Sequence, residues 1–451
     1  MPKFIIATLG CKVNQYESEA LARELEASGW ITAQRHEQAD VCIVNTCTVT
    51  RKAAMQSRQA MRQAIRKNPG ARIVVTGCYA QTEADEIKKI KGVHAVIGQA
   101  QKHNLTGLIL SEKEYDFNHP ISICSDIRRE RRFGQFSETV YGSRTRPFLK
   151  IQDGCESFCT YCIVPFARGP SRSMPLADVL ENILQLSQAG YHEVVLSGIH
   201  LGNYGLDLSP ETDLFDLLSR IRESNLIHRV RLSSIEPLEL TAEIIKLVSE
   251  SKNFCRHFHI PLQSGDDLIL KKMNRPYTRA FFRERVLQIC ERMPDAAIGV
   301  DVLIGFPGET DAAFENTYSF IQQLPLAYLH VFPFSPRPAT AAATFPDRVP
   351  PKVIKKRCQR MRKLGSEKRA SFYNKFIGDA LEVLIEETPD HTTRLLKGIS
   401  SNYIPVLTNA SDDHRNKIVH VGIEDLYMNN LLFGKIILES NLVADNKIER
   451  H

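Results

Sequence analysis

No stretch of this 451-residue chain approaches the roughly 20 consecutive apolar residues that a bilayer-spanning helix needs. Low-complexity tracts and coiled-coil heptads are also missing, which argues for globular folding throughout and leaves the oligomeric state unread. The opening residues, MPKFIIATLG, carry one lysine and a short strand-like run, too little for a secretory leader. The expectation is a cytoplasmic chain with no membrane partner. In such a reducing compartment disulfides are disfavoured, and the cysteine count of 11 is odd. Cysteines that cluster therefore read as metal ligands or catalytic thiols.

Net charge is only +6, yet it is unevenly spread. Between Pro350 and Phe372 stand Lys352, Lys355, Lys356, Arg357, Arg360, Arg362, Lys363, Lys368 and Arg369, opposed by Glu367 alone. A second basic stretch, DIRRERRFG, begins at Asp126. Such runs suit a polyanion-binding surface, although a solvated helix face has the same composition.

The length calls for two or three domains. KFIIATLG, ADVCIVNT and ARIVVTG are short Ile- and Val-rich runs separated by segments of helical periodicity, the βαβ pattern of a parallel sheet. Cys11, Cys47 and Cys78 each follow one of these strands, 36 and 31 residues apart. Each interval is about one βαβ unit of roughly 30 residues, so the three thiols can converge on the carboxyl edge of the sheet. Cys42, inside VCIVN, reads instead as a core residue. A second series starts at PFLKIQDG and continues through EVVLSG, RVRLSS, RHFHIPL, IGVDVLIGF and AYLHVFPFS, with a helical stretch between each pair. Six repeats predict an incomplete (βα)6 barrel, with chemistry at the carboxyl ends of its strands. From about Phe372 the pattern becomes short, partly alternating strands, a small all-β module. The predicted fold class is α/β. It comprises an N-terminal α/β domain (1–120), a basic linker (121–145), the partial barrel (146–345), a basic helix (346–371) and the β module (372–442).

After the first barrel strand comes DGCESFCTYC, with Cys155, Cys159 and Cys162 as C-x-x-x-C-x-x-C. The loop holds no fourth ligand, so a closed structural zinc site is disfavoured. Three thiolates on a [4Fe–4S] cluster leave one iron open to a small molecule.

This spacing, with an aromatic Tyr161 before the last cysteine and a barrel strand ahead of it, resembles the radical S-adenosylmethionine superfamily. The resemblance implies that the open iron chelates the amino and carboxylate groups of S-adenosylmethionine. A single electron then breaks the carbon–sulfur bond and yields a 5′-deoxyadenosyl radical. It further implies cofactor contacts at Tyr161, at Gly198 in LSGIHLG, at Ser233, Ser234 and Glu236 in RLSSIEP, and at Gly305 and Gly308 in VLIGFPGE.

Two open trios, a barrel and a terminal β module together resemble the methylthiotransferases. GCKVNQYES, NTCTVT, RTRPFLKIQDGC, PFARG, HIPLQSGDD and KKMNRPYT are most similar to the branch acting on threonylcarbamoyladenosine in tRNA. The resemblance implies two [4Fe–4S] clusters and S-adenosylmethionine as cofactors, with the six trio cysteines as ligands. The implied product is 2-methylthio-N6-threonylcarbamoyladenosine at tRNA position 37. The implied partners are the tRNA anticodon stem-loop, an electron donor such as a flavodoxin, and a sulfur source. The β module resembles the RNA-binding TRAM domain. Expected RNA contacts are Arg168, Arg172, Lys397, Tyr403 and Lys435, with Phe148, Phe166 and Tyr204 as candidate stacking partners. Two alternatives stay open. One is a sister methylthiotransferase acting on isopentenyladenosine or on a ribosomal-protein aspartate; the sisters differ at the Lys-Val-Asn-Gln after Cys11. The other is an RNA-binding protein with fully ligated structural clusters, one of them completed by a cysteine such as Cys124 or Cys358.

Overall fold

The computed structural model describes residues 1–34, 37–111, 120–136, 144–427 and 431–437. Strands β1 (Lys3–Thr8), β2 (Ile31–Thr32), β3 (Val41–Thr46), β4 (Arg72–Gly77), β5 (Ala95–Ile97) and β6 (Ile121–Ile123) form one parallel sheet in the order β2-β1-β3-β4-β5-β6. β3 is buried along its whole length, as a strand covered by helices on both faces must be. The helices Lys12–Ala27 and Arg51–Lys67 supply much of that cover, the second capped by Thr50 Oγ1 accepting from Ala53 N. Residues 121–123, expected in a linker, are instead the sixth strand, too short to stand out in sequence.

β7 (Phe148–Lys150) opens the second domain, and a hairpin of β8 (Gln152–Asp153) with β9 (Arg172–Ser173) closes the base of the cysteine loop. β10 (Glu193–Ser197), β11 (Arg229–Leu232), β12 (His257–His259), β13 (Ala297–Ile304) and β14 (Tyr328–Pro333) follow, all parallel. Two three-stranded sheets, β11-β10-β7 and β12-β13-β14, join through the parallel bridges Val230–Phe254 and Ser234–His259. The result is a six-stranded partial barrel in sequence order, open between β7 and β14. Alternation sends Val194, Leu196, Val230, Phe258, Val300 and Val302 into the outer apolar core. The opposite set, which includes Glu193, Arg231, His259 and Asp301, lines a polar lumen in which these groups pair with one another.

Helix Pro351–Asn374 packs along β14. Its charge is largely used within the chain. Arg357 binds Glu309 and Asp311, Arg360 binds Glu315, and Lys368 donates to the carbonyls of Gln322 and Leu324. The terminal module is a closed barrel of β15 (Ala380–Ile385), β16 (Leu396–Ser400), β17 (Pro405–Thr408), β18 (Ile418–Tyr427) and β19 (Leu431–Ile436), in the order β15-β16-β17-β19-β18. It docks under the larger barrel, where Arg231 donates to the carbonyls of Ser400 and Ser401 and Asn402 Nδ2 to that of Asp295. No described helix is long and apolar enough to cross a membrane.

Candidate active site

Cys11, Cys47 and Cys78 follow β1, β3 and β4, three adjacent strands of the sheet, so their converging positions are a consequence of strand order. Glycine lets them approach. A Cβ on Gly10 (φ +102°) would lie 3.0 Å from Cys47 Cβ, and one on Gly77 (φ +97°) only 2.4 Å from the Thr46 carbonyl. Ser57 Oγ accepts from Cys47 N at 3.0 Å and donates to the Cys47 carbonyl at 2.9 Å. Burial and the neighbouring thiols push Cys47 up to about 12, so it ligates when a metal displaces its proton.

The second trio lies on a loop tied down by KKMNRPYT. Thr160 N donates to the Met273 carbonyl at 3.0 Å, Thr160 Oγ1 to that of Lys272 at 2.9 Å, and Asn274 Nδ2 to those of Ser157 and Phe158. Gly154 (φ +78°) is required where the loop leaves β8, because a Cβ there would meet the Pro170 carbonyl at 1.8 Å. Arg275 Nη1 donates to Cys159 Sγ at 3.4 Å while its guanidinium grips Glu236. His200 Nδ1 lies 3.4 Å from Cys155 Sγ, and its Nε2 lies 2.7 Å from Glu239. Burial opposes charge on His200, but Cys155 and Glu239 outweigh it and raise the imidazole to about 10. The resulting imidazolium donates at both nitrogens and draws the Cys155 thiol below its ordinary value against the effect of burial.

Arg168 joins the two trios. Its side chain is fully buried, with Nη1 at 2.7 Å from Glu17 and 3.0 Å from Asp153, and Nε at 3.4 Å from Cys78 Sγ. Lys102 reaches Glu17 at 2.6 Å, and Lys150 lies 3.5 Å from both Glu17 and Asp153. Burial alone would raise Glu17; Arg168, Lys102 and Lys150 hold it down at about 2. Arg168 and Arg172, expected as substrate contacts, are both buried, Arg172 donating to the Arg168 carbonyl at 2.7 Å, so their described partners lie within the chain.

The remaining expected positions divide by environment. Ser233 sits at the end of β11 with Oγ buried and no hydrogen-bond partner among the described residues, a polar atom that suits a bound ligand. Tyr161 meets Phe306 edge-on at 6.5 Å beside the loop. A Cβ on Gly198 would lie 2.9 Å from Gln152 Oε1. Gly305 and Gly308 both adopt positive φ, and a Cβ on Gly305 would strike Ile354 at 2.4 Å, so helix packing alone already demands glycine there. Tyr204, expected as a stacking partner, is fully buried and donates to the Met174 carbonyl. Phe166 meets Phe158 edge-on. Lys397 lies 4.0 Å from Glu386 and Lys435 2.7 Å from Glu424 on the surface of the module. Tyr403 leaves that surface; it tilts over His257 at 4.5 Å and under Arg231 at 5.1 Å, in the floor of the lumen. Sequence reasoning gave no role to Glu239, Arg275 or Glu17, set His200 aside as a residue of a Gly-rich turn, and used Lys12 only as part of a branch signature. It also passed over the helix Arg51–Lys67, whose charged residues Arg51, Lys52, Arg58, Arg62, Arg66 and Lys67 are all cations.

Each trio stays a trio. Cys124 rests on the carbonyls of Ala80 and Val96, and Cys358 is buried in the helix against β14. Three thiols per site fit a [4Fe–4S] cluster with one open iron, and each site has at least one guanidinium N–H directed at a sulfur, a contact that tunes such clusters.

Residues 3–98 match Uncharacterized protein family UPF0004, and residues 149–321 match the Radical SAM superfamily. The chain is 39% identical over 419 residues to the threonylcarbamoyladenosine tRNA methylthiotransferase MtaB of Bacillus subtilis, covering 92% of either chain. The protein of the same name in Aquifex aeolicus is 38% identical over 90% of this chain and 96% of its own. A tRNA-2-methylthio-N(6)-dimethylallyladenosine synthase of Clostridium botulinum (Loch Maree) is 34% identical over 93% and 94% respectively. Among solved structures, the radical S-adenosylmethionine methyltransferase TsrM of Kitasatospora setae shares the fold at a TM-score of 0.54 and 17% identity, over 76% of this chain and 77% of that one. The cofactors are two [4Fe–4S] clusters and S-adenosylmethionine. The chain belongs to the radical S-adenosylmethionine tRNA methylthiotransferases, on the threonylcarbamoyladenosine branch.

Proposed function

We propose that this protein places sulfur and a methyl group on carbon 2 of N6-threonylcarbamoyladenosine at tRNA position 37. The observation that carries this reading is the buried Arg168, which follows one trio in sequence and hydrogen-bonds a thiol of the other. Two sites tied together through one side chain, by Cys78 on one side and Asp153 at the base of the other loop, suit a reaction in which hydrogen leaves and sulfur arrives at the same carbon. When bound, the two clusters and S-adenosylmethionine supply the radical and the sulfur chemistry. The chain's own residues do the positioning. His200, Ser157 and Arg275 fix the thiols of the barrel loop, while Gln99 and Arg168 fix that of Cys78. Gln152 Oε1 accepts from His200 N at 2.8 Å and holds the β10 turn beside the loop.

RNA contact falls to exposed cations around this mouth. Arg128, Arg129 and Arg132 keep side-chain exposures of 74%, 89% and 94% despite nearby carboxylates. Lys352, Lys355 and Lys356 on the helix after the barrel, and the cationic face of Arg51–Lys67, extend the same character. The β module would add a grip through Lys397 and Lys435, as a TRAM-type domain. An electron donor of the flavodoxin kind and a sulfur source complete the cycle, in the cytoplasm.

Nucleoside mass analysis of tRNA from a deletion strain tests the substrate. Unmodified N6-threonylcarbamoyladenosine should accumulate where its 2-methylthio form was present. Accumulated isopentenyladenosine would move the chain to the sister branch.

A further inference from the structure

We infer that Lys12 is the residue that selects the substrate, by receiving a carboxylate carried on the N6 substituent of the target adenosine. This rests on the function proposed above and names how the site would recognise that base.

Lys12 follows Cys11 directly and begins the helix Lys12–Ala27. With Phe148, Val195, Arg231 and Tyr403 it lines a cavity of about 280 Å³ at the open side of the barrel; the acids at its rim are Glu386 and Glu387, the latter held by Asn416 and Arg415. The other cations of this cavity already have partners. Arg231 binds Glu193 at 2.7 Å, Arg146 binds Glu386 at 2.8 Å, and Arg144 binds Glu19 at 2.6 Å. The carboxylate that acts on Lys12 across the lumen, Asp301, is itself bound to His259 at 2.9 Å. Among the described residues no carboxylate lies within ion-pairing distance of Lys12, and Arg144, Arg146 and Arg231 line the same cavity. A half-buried cation whose neighbouring carboxylates are all taken by other groups is a seat for an anion.

The chemistry of the base gives that seat a use. Carbon 2 of an adenine must face the Cys11 trio to receive sulfur. Carbon 6 stands 1,3 to it across one ring nitrogen, so the N6 substituent lies beside the residue that follows Cys11. A threonylcarbamoyl group ends in a carboxylate; a dimethylallyl group carries no charge. A site with a desolvated cation rejects an uncharged analogue because the cation is left unpaired.

The test uses two anticodon stem-loop RNAs, one with N6-threonylcarbamoyladenosine and one with its threonyl carboxylate converted to the primary amide. Both are titrated against the anaerobically reconstituted full chain, and Kd and kcat/KM are measured. The wild-type protein should prefer the acid by about tenfold to a hundredfold, the range of a charge-assisted contact. Lys12→Gln should bind acid and amide alike, with iron content reporting that it folds, and Lys12→Arg should restore part of the preference. A wild-type protein indifferent to acid against amide, or a Lys12→Gln variant that keeps the full preference, overturns the inference while leaving the proposed reaction standing. A wild-type protein that modifies isopentenyladenosine RNA and ignores the threonylcarbamoyl RNA overturns both.

Discussion

Replacing Arg168 by methionine removes the cation that bridges Glu17 and Asp153 most closely, at 2.7 and 3.0 Å, where Lys150 reaches the same two acids only at 3.5 Å. Glu17 and Asp153 would remain buried, and Arg168 makes the shortest ion-pair contacts to Asp153, at 3.0 and 3.2 Å. The loss is partial. Glu17 keeps Lys102 at 2.6 Å and Lys150 at 3.5 Å, and Asp153 keeps Lys150 at 3.5 Å and Arg172 at 3.7 Å. Breaking a buried pair costs about 3–5 kcal/mol, and the remaining cations argue for the lower end, about 3 kcal/mol. That is roughly two decades in the equilibrium between docked and undocked domains. Hydrogen exchange of helix Lys12–Ala27, which carries Asn14 and Glu17, should therefore quicken by about a hundredfold, where opening limits exchange. Methylthiolation should fall far more than reductive cleavage of S-adenosylmethionine, because the barrel loop has its own anchors at Met273 and Asn274. Unchanged exchange together with wild-type product formation would refute the coupling assigned to Arg168. Equal loss of both activities would show that Arg168 supports the barrel site alone.

Other outcomes follow from single contacts. Cys159→Ala should abolish reductive S-adenosylmethionine cleavage and lower iron from about eight to about four per chain; persisting cleavage would contradict the radical assignment. Gly154→Ala should lose the same four irons, since its Cβ would sit 1.8 Å from the Pro170 carbonyl at a φ of +78°; full iron loading would contradict that. Arg62→Glu with Arg66→Glu, on the cationic helix, should weaken anticodon RNA binding and flatten its dependence on salt by about one unit of slope per lost phosphate contact, measured by anisotropy at several salt concentrations. Glu17 has a folded-state value near 2 against an ordinary 4.5, so its contribution to stability is whole above that ordinary value and drains as pH falls toward 2. Thermal unfolding followed through Trp30, just beyond helix Lys12–Ala27, should show that slope in the wild type and a shallower one in Glu17→Gln.

Much of the site was legible because spacing carries it. A C-x-x-x-C-x-x-C loop after a strand, and single cysteines after three strands of a βαβ series, encode their own proximity. What spacing cannot show is a partner chosen across the chain. Arg168 reads as one more basic residue near an RNA enzyme's loop, and only folding brings it to Glu17 and Asn14, 151 and 154 residues away. The same holds for His200 with Glu239, whose separate turns give no hint that the carboxylate orients the imidazole facing Cys155. Tyr403 illustrates the converse, because a tyrosine on a small β module suggests a stacking surface until docking turns it into the barrel floor. In the basic run after the barrel, composition could not show that Arg357 and Arg360 pair with Glu309, Asp311 and Glu315 while Lys352, Lys355 and Lys356 stay exposed.

The most direct measurement presents the reconstituted, reduced protein with S-adenosylmethionine, sulfide and an equimolar mixture of two anticodon stem-loops, one bearing N6-threonylcarbamoyladenosine and one isopentenyladenosine. Nucleosides are then resolved by mass spectrometry. The account predicts that hydrogen is exchanged for a methylthio group on the threonylcarbamoyl base alone. Conversion of the isopentenyl base, or cleavage of S-adenosylmethionine with neither RNA changed, would contradict it.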